Sequence, residues 1–161
     1  MQALRILGLA LVLTVFCTES RGAVPMPAFS LPTAVDGAVV SSKSYEGRAL
    51  LITFFATWCS SCLHEIPLLK DMHAKFSPHG FTVVALSVDE GGTTAVNRLI
   101  KRAGISYPVL MADNKATRDF GGITTVPTSF LVNRDGHVVK KYSGGIVRRI
   151  LEKDIESVLY R

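Results

Sequence analysis

The stretch Ala49-Leu50-Leu51-Ile52-Thr53-Phe54-Phe55-Ala56-Thr57-Trp58-Cys59-Ser60-Ser61-Cys62 joins an apolar run to two cysteines separated by two serines. The run over 49–55 is continuous and short, as expected of a strand covered on both faces. Beyond the first cysteine, Leu63, Ile66, Leu69, Met72 and Phe76 recur at helical spacing, which predicts a helix over 59–76. Pro67 lies inside it; it has no N–H and clashes with the preceding turn, so it should kink the helix and set the tilt of the cysteine turn. The cysteines therefore stand where a buried strand hands over to a helix N-terminus. There, unpaired N–H groups and the helix dipole favour negative charge. A thiolate is the nucleophile of disulfide exchange, so stabilising it raises reactivity at neutral pH. Cys59, at the helix start, should be the more exposed and more acidic sulfur. Cys62, one turn on, is close enough to join it and to resolve a mixed disulfide, and so small a ring can be reopened.

The opening of the chain bears on the compartment. Arg5 supplies a short positive start, and Ile6 to Phe16 is apolar apart from Gly8 and Thr14. Polar residues follow, with Ser20 and Gly22 as small residues suited to a signal peptidase. Residues 1–22 read as a signal peptide, and 23–161 as the working domain. The apolar run falls short of the ~20 residues of a comfortable membrane span. An uncleaved anchor, stretched over a thin bilayer, is the alternative. Lipid attachment at Cys17 is disfavoured by the bulky Phe16 before it. Removal of the leader takes Cys17 with it and leaves Cys59 and Cys62 as the mature pair. Structural disulfides of exported proteins tie distant segments. A bridge across so short a loop removes little chain entropy, so a redox role is favoured over a brace.

Composition fits one ordinary globule: 161 residues, 48% apolar and 19% charged. The net charge of +5 comes from scattered lysines and arginines, with no interleaving of basic and exposed aromatic residues. That excludes a nucleic-acid surface. Residues 23–48 are rich in Pro, Gly and Ser, and Asp36-Gly37 between two short alternations signals an N-terminal β-hairpin. A second buried strand is predicted over 81–88, a helix over 93–103, a short strand over 107–111 and a helical turn over 115–120. Strands over 128–132 and 137–142 flank the turn Asn133-Arg134-Asp135-Gly136. A last amphipathic helix over 146–160 should bury Val147, Ile150, Leu151, Ile155, Val158 and Leu159. Asp89 and Glu90, at the end of the second strand, could face substrate in the neighbouring loop, but are expected rather to cap the following helix. The fold class is α/β, a mixed sheet with helices on both sides.

Half a zinc site is the other reading of a C-x-x-C pair, but zinc needs four ligands. No second such pair exists, and His64, His73, His79 and His137 do not supply the rest at finger-like spacing, so no metal is expected.

Phe54 to Cys62, with Glu65 and Pro67 behind it, resembles the active-site segment of the thioredoxin superfamily and, more narrowly, of the exported TlpA/ResA-type reductases. The likeness continues in Gly121-Gly122-Ile123-Thr124-Thr125-Val126-Pro127-Thr128-Ser129-Phe130-Leu131-Val132, where the family has a cis-proline loop leading into a strand. It covers residues 27–160. The resemblance implies a thioredoxin-like fold with Cys59 as attacking thiol and Cys62 as resolving thiol. It makes Trp58 a lid beside the sulfur, gives Val126 a backbone that receives an extended peptide, and makes Pro127 cis. Many thioredoxins carry a buried aspartate under the disulfide; this chain has Thr53 there. The resemblance passes the proton-exchanging role to Glu65, three residues past Cys62 on nearly the same helix face. A carboxylate partly buried near thiols has a raised pKa, which suits exchange with Cys62.

The resemblance further implies reduction of disulfides in cysteine-containing exported proteins, as in cytochrome c maturation. It implies a periplasmic or other extracytoplasmic site, a membrane electron donor and no cofactor. An oxidase of the DsbA kind carries a helical insertion for which the chain has no room, and an isomerase carries a dimerisation module, so a monomer is expected. Two other functions remain on the same scaffold. A thiol peroxidase needs its cysteine in a Pro-x-x-x-Thr/Ser-x-x-Cys setting, which neither cysteine has. A Sco-like copper chaperone spaces its cysteines by three residues, where these are spaced by two.

Overall fold

The computed structural model describes residues 24–160, so the leader or anchor read over 1–22 lies outside the described residues. In chain order the strands are β1 (Val24–Pro25), β2 (Ser30–Pro32), β3 (Val39–Ser41), β4 (Ala49–Phe55), β5 (Phe81–Ser87), β6 (Val109–Met111), β7 (Thr128–Val132) and β8 (His137–Ser143). The helices are α1 (Ser60–Phe76), α2 (Thr93–Ala103), α3 (Asn114–Asp119) and α4 (Arg148–Leu159).

Every residue of β4 is buried, because successive side chains of a strand point to opposite faces and both faces are covered. Ala49, Leu51 and Phe55 meet a core that includes Ile66, Leu69 and Met72 of α1, Val96 and Leu99 of α2, and Leu151 and Ile155 of α4. Leu50, Ile52 and Phe54 meet a second core on the other face, with Phe120 after α3, Phe130 of β7, and Phe29 and Leu31 from the N-terminal hairpin. There the Phe54 ring stands edge-on to Phe120 and Phe130, at centroid distances of 5.2 and 6.2 Å.

The six strands of the main sheet run in the order β1-β8-β7-β4-β5-β6. β4 is parallel to β5 and antiparallel to β7, so the sheet is mixed, with helices on both faces. The hairpin β2-β3 forms its own two-stranded sheet, and Gly37 in its turn has φ +75°, a conformation open to glycine at no steric cost. No residue pattern signals β1, a two-residue strand that pairs with β8.

α1 runs unbroken through the exposed Pro67, whose missing N–H costs it one bond to the turn before. Two expectations need correction. β6 begins only at Val109, after Pro108. α4 begins at Arg148 and buries only Leu151, Ile155 and Leu159, a narrow stripe at intervals of one turn. Val147 and Ile150, expected in that face, are 60% and 45% exposed. Among the described residues no helix is long and apolar enough to cross a membrane.

Candidate active site

Strand pairing explains why two motifs far apart in sequence meet. Phe54, near the end of β4, pairs with Thr128 at the start of β7, so the loop leading out of β4 faces the loop leading into β7. The first loop ends in Cys59 and the second in Pro127.

Cys59 is the N-cap residue of α1, with an extended backbone at φ −86° and ψ 104°. Its Sγ takes the place that a serine or aspartate oxygen usually fills, accepting the Cys62 N–H at 3.2 Å. The Ser61 hydroxyl lies 3.4 Å from the same sulfur. Cys59 and Cys62 are joined as a disulfide with Cα atoms 5.3 Å apart. Cys59 is the more exposed of the two, though narrowly, at 7% against 4%. An N–H and a hydroxyl aimed at one sulfur, at the positive end of a helix of four turns and more, are what a thiolate needs.

The Val126–Pro127 bond is cis. The Val126 carbonyl oxygen lies 3.6 Å from Cys59 Sγ. Among the described residues, the Val126 N–H has no hydrogen-bond acceptor. Val126 is half-buried, and its free N–H can pair with the backbone of an extended peptide. Trp58, expected as a lid, stands 73% exposed at the rim of a groove that Val126 also lines.

Glu65 is buried on the inner face of α1, where its Oε1 accepts the Ile146 N–H at 2.8 Å. Burial pushes its carboxyl above the ordinary range, and the Ile146 bond opposes that rise. Glu65, Cys62, Thr53 and Tyr107 line one cavity of about 10 Å³ beneath the disulfide. Burial, and then the charge of Glu65, also push the Tyr107 hydroxyl up. Thr53 is occupied elsewhere: its hydroxyl accepts from Ser129 at 2.8 Å, a neutral buried pair. Of the polar groups in the cavity, Glu65 is the one that can carry a proton to or from Cys62 at neutral pH.

Asp89 does not cap the next helix. The N-cap of α2 is Gly92, with no side-chain bond. The Asp89 carboxylate instead accepts from the Thr57 N–H at 3.0 and 3.2 Å, the Thr57 hydroxyl at 2.5 Å and the Ser87 hydroxyl at 2.7 Å. It fixes the loop that presents Trp58 and Cys59. The readable signal was its place at the carboxyl end of β5, the parallel neighbour of β4, since adjacent parallel strands end side by side. Among the described residues, no three His, Cys, Asp or Glu side chains gather as a metal site.

A mixed sheet with a dithiol at a helix N-terminus, facing a cis-proline loop, defines a thioredoxin-fold thiol-disulfide oxidoreductase. A family model described as Redoxin matches residues 22–159, and the chain belongs to that family. It is 30% identical over 128 residues to the thiol-disulfide oxidoreductase ResA of a Bacillus cereus strain, covering 78% of this chain and 72% of that one. It is 27% identical over 124 residues to ResA of Halalkalibacterium halodurans, covering 77% and 70%. Among solved structures, a thiol:disulfide interchange protein of the thioredoxin family from Chlorobium tepidum TLS superposes with a TM-score of 0.78 at 36% identity, covering 86% of this chain and 97% of that one. StoA from Bacillus subtilis shares the fold, with a TM-score of 0.67 at 24% identity, covering 82% and 98%. The chain is thus a TlpA/ResA-like member of the thioredoxin superfamily, acting on cysteine-containing proteins.

Proposed function

We propose that the protein reduces disulfides in exported, cysteine-containing proteins, apocytochromes c during maturation among them. The observation that carries this reading is the setting of Cys59, whose sulfur caps α1 and lies 3.6 Å from the carbonyl oxygen of Val126, the residue before the cis proline. In the reduced enzyme the Cys59 thiolate attacks a substrate disulfide. A bond forms between Cys59 Sγ and one substrate sulfur, and the other leaves as a thiolate that takes up a proton. Cys62 gives its proton to Glu65 and attacks Cys59 Sγ, which releases the second substrate thiol and closes the Cys59–Cys62 disulfide. Two electrons have passed from enzyme to substrate. A membrane electron donor then restores the dithiol.

In this scheme Val126 supplies backbone pairing to the substrate, Pro127 shapes the loop, and Trp58 gives an exposed aromatic contact. The leader over 1–22 supports an extracytoplasmic site, with that segment cleaved or kept as an anchor. Mixed-disulfide trapping tests the reading. Cys62→Ser, expressed in the native host, should accumulate substrate adducts on Cys59 that dithiothreitol releases and that a Cys59→Ser control lacks. No adducts above that control would contradict it.

A further inference from the structure

Beside the disulfide runs a groove of about 960 Å³. Trp58, Met111, Ile123 and Val126 form apolar wall, and three carboxylates, Asp89, Glu90 and Asp113, share the lining. No lysine, arginine or histidine lines it, although the chain carries +5 overall. The groove therefore has the opposite sign to the molecule around it.

No cationic side chain holds any of the three carboxylates among the described residues. Asp89 is bonded only to neutral donors, the Thr57 amide and hydroxyl and the Ser87 hydroxyl. Asp113 accepts the Ala116 N–H at the start of α3. A concave, partly apolar wall focuses such a field on whatever enters.

The geometry points to a substrate preference: the groove takes an extended cysteine-bearing segment with lysine or arginine within two or three residues of the cysteine. This inference rests on the proposed function, in which a peptide pairs with Val126 while its sulfur meets Cys59. The apolar wall takes the stem of a long basic side chain, and the carboxylates take its head. Exposed ion pairs are individually weak, so the discrimination comes from several acting together. Reversing the sign of the residues on both sides of the cysteine should change affinity about tenfold.

The chain's single tryptophan is Trp58, so its fluorescence reports directly on this groove. Two short peptides should be compared, identical except for lysines or glutamates flanking a central serine in place of cysteine. Titrated into the oxidised protein at low salt, the lysine peptide should bind about tenfold more tightly. The ratio should fall toward one in about 0.5 M salt, and again in the Glu90→Gln/Asp113→Asn double variant. Equal affinities, a preference for the glutamate peptide, or no binding of either peptide would overturn the inference. A second arm restores the cysteine as its mixed disulfide with glutathione and follows the release of glutathione and peptide thiols as the reduced protein becomes the Cys59–Cys62 disulfide. If lysine-peptide binding is preferred but neither peptide exchanges, the proposed function fails while the charge preference of the groove stands.

Discussion

At the scale of single residues, the chemistry depends on a few side chains whose surroundings differ from water. Glu65 is the plainest case. Its carboxyl ordinarily titrates at 4.5, and burial raises it, against the pull of the Ile146 N–H. The folded chain therefore keeps this proton through a pH window in which the unfolded chain has lost it. The contribution to stability is full below about 4.5 and is lost as pH rises through the folded value. Glu65→Gln keeps an oxygen for the Ile146 N–H and removes the titration. Urea melts between pH 4 and 8 should show the variant gaining on the parent protein as pH rises, then levelling. Parallel pH profiles would show that the buried carboxyl does not titrate in this way. The spacing of Cys59 and Cys62 at a strand-to-helix junction was legible in the residues themselves, whereas Pro127 and Glu65 were singled out only by the family resemblance. The role of Asp89 was not, since its partner Thr57 follows a different strand and only sheet pairing brings them together.

At the scale of elements, hydrophobic period carries most of the information. The buried strands β4, β5 and β7 and the helix α2 follow directly from it, because core burial leaves few ways to place such runs. Where the prediction failed, the pattern was ambiguous. Of the six apolar residues expected on the last helix's face, Leu151, Ile155 and Leu159 are buried and Val158 packs in part against the core, while Val147 and Ile150 stay exposed. β1 is two residues long and carries no periodic signal at all; it exists because the edge of β8 offers unpaired backbone. The narrow face of α4 makes its few contacts costly to lose. Leu151 is fully buried against the β4 side of the core. Leu151→Ala should destabilise the fold by about 2–5 kcal/mol, whereas Ile150→Ala, from the exposed flank, should cost well under half as much. Chemical denaturation of the two variants checks this, and equal losses would contradict the assignment of the face.

At the scale of the whole molecule, the sheet gathers three loops at one place. β4 delivers Cys59, its antiparallel neighbour β7 begins just after Pro127, and the loop after its parallel neighbour β5 carries Asp89. The open α/β sheet thus has its reactive crevice outside the carboxyl ends of its parallel strands, where such sheets commonly bind ligands. The net charge of +5 bears on solubility and encounter, while the carboxylates of the groove act at the point of contact. All of this depends on Cys59 being a ready nucleophile, held so by the amide and hydroxyl that face its sulfur. The most direct test is the rate of iodoacetamide alkylation of Cys59 against pH, in the reduced Cys62→Ser protein. The rate should already lie on its plateau near pH ~7.5; a rise centred on the ~8.5 of a free cysteine would contradict the account.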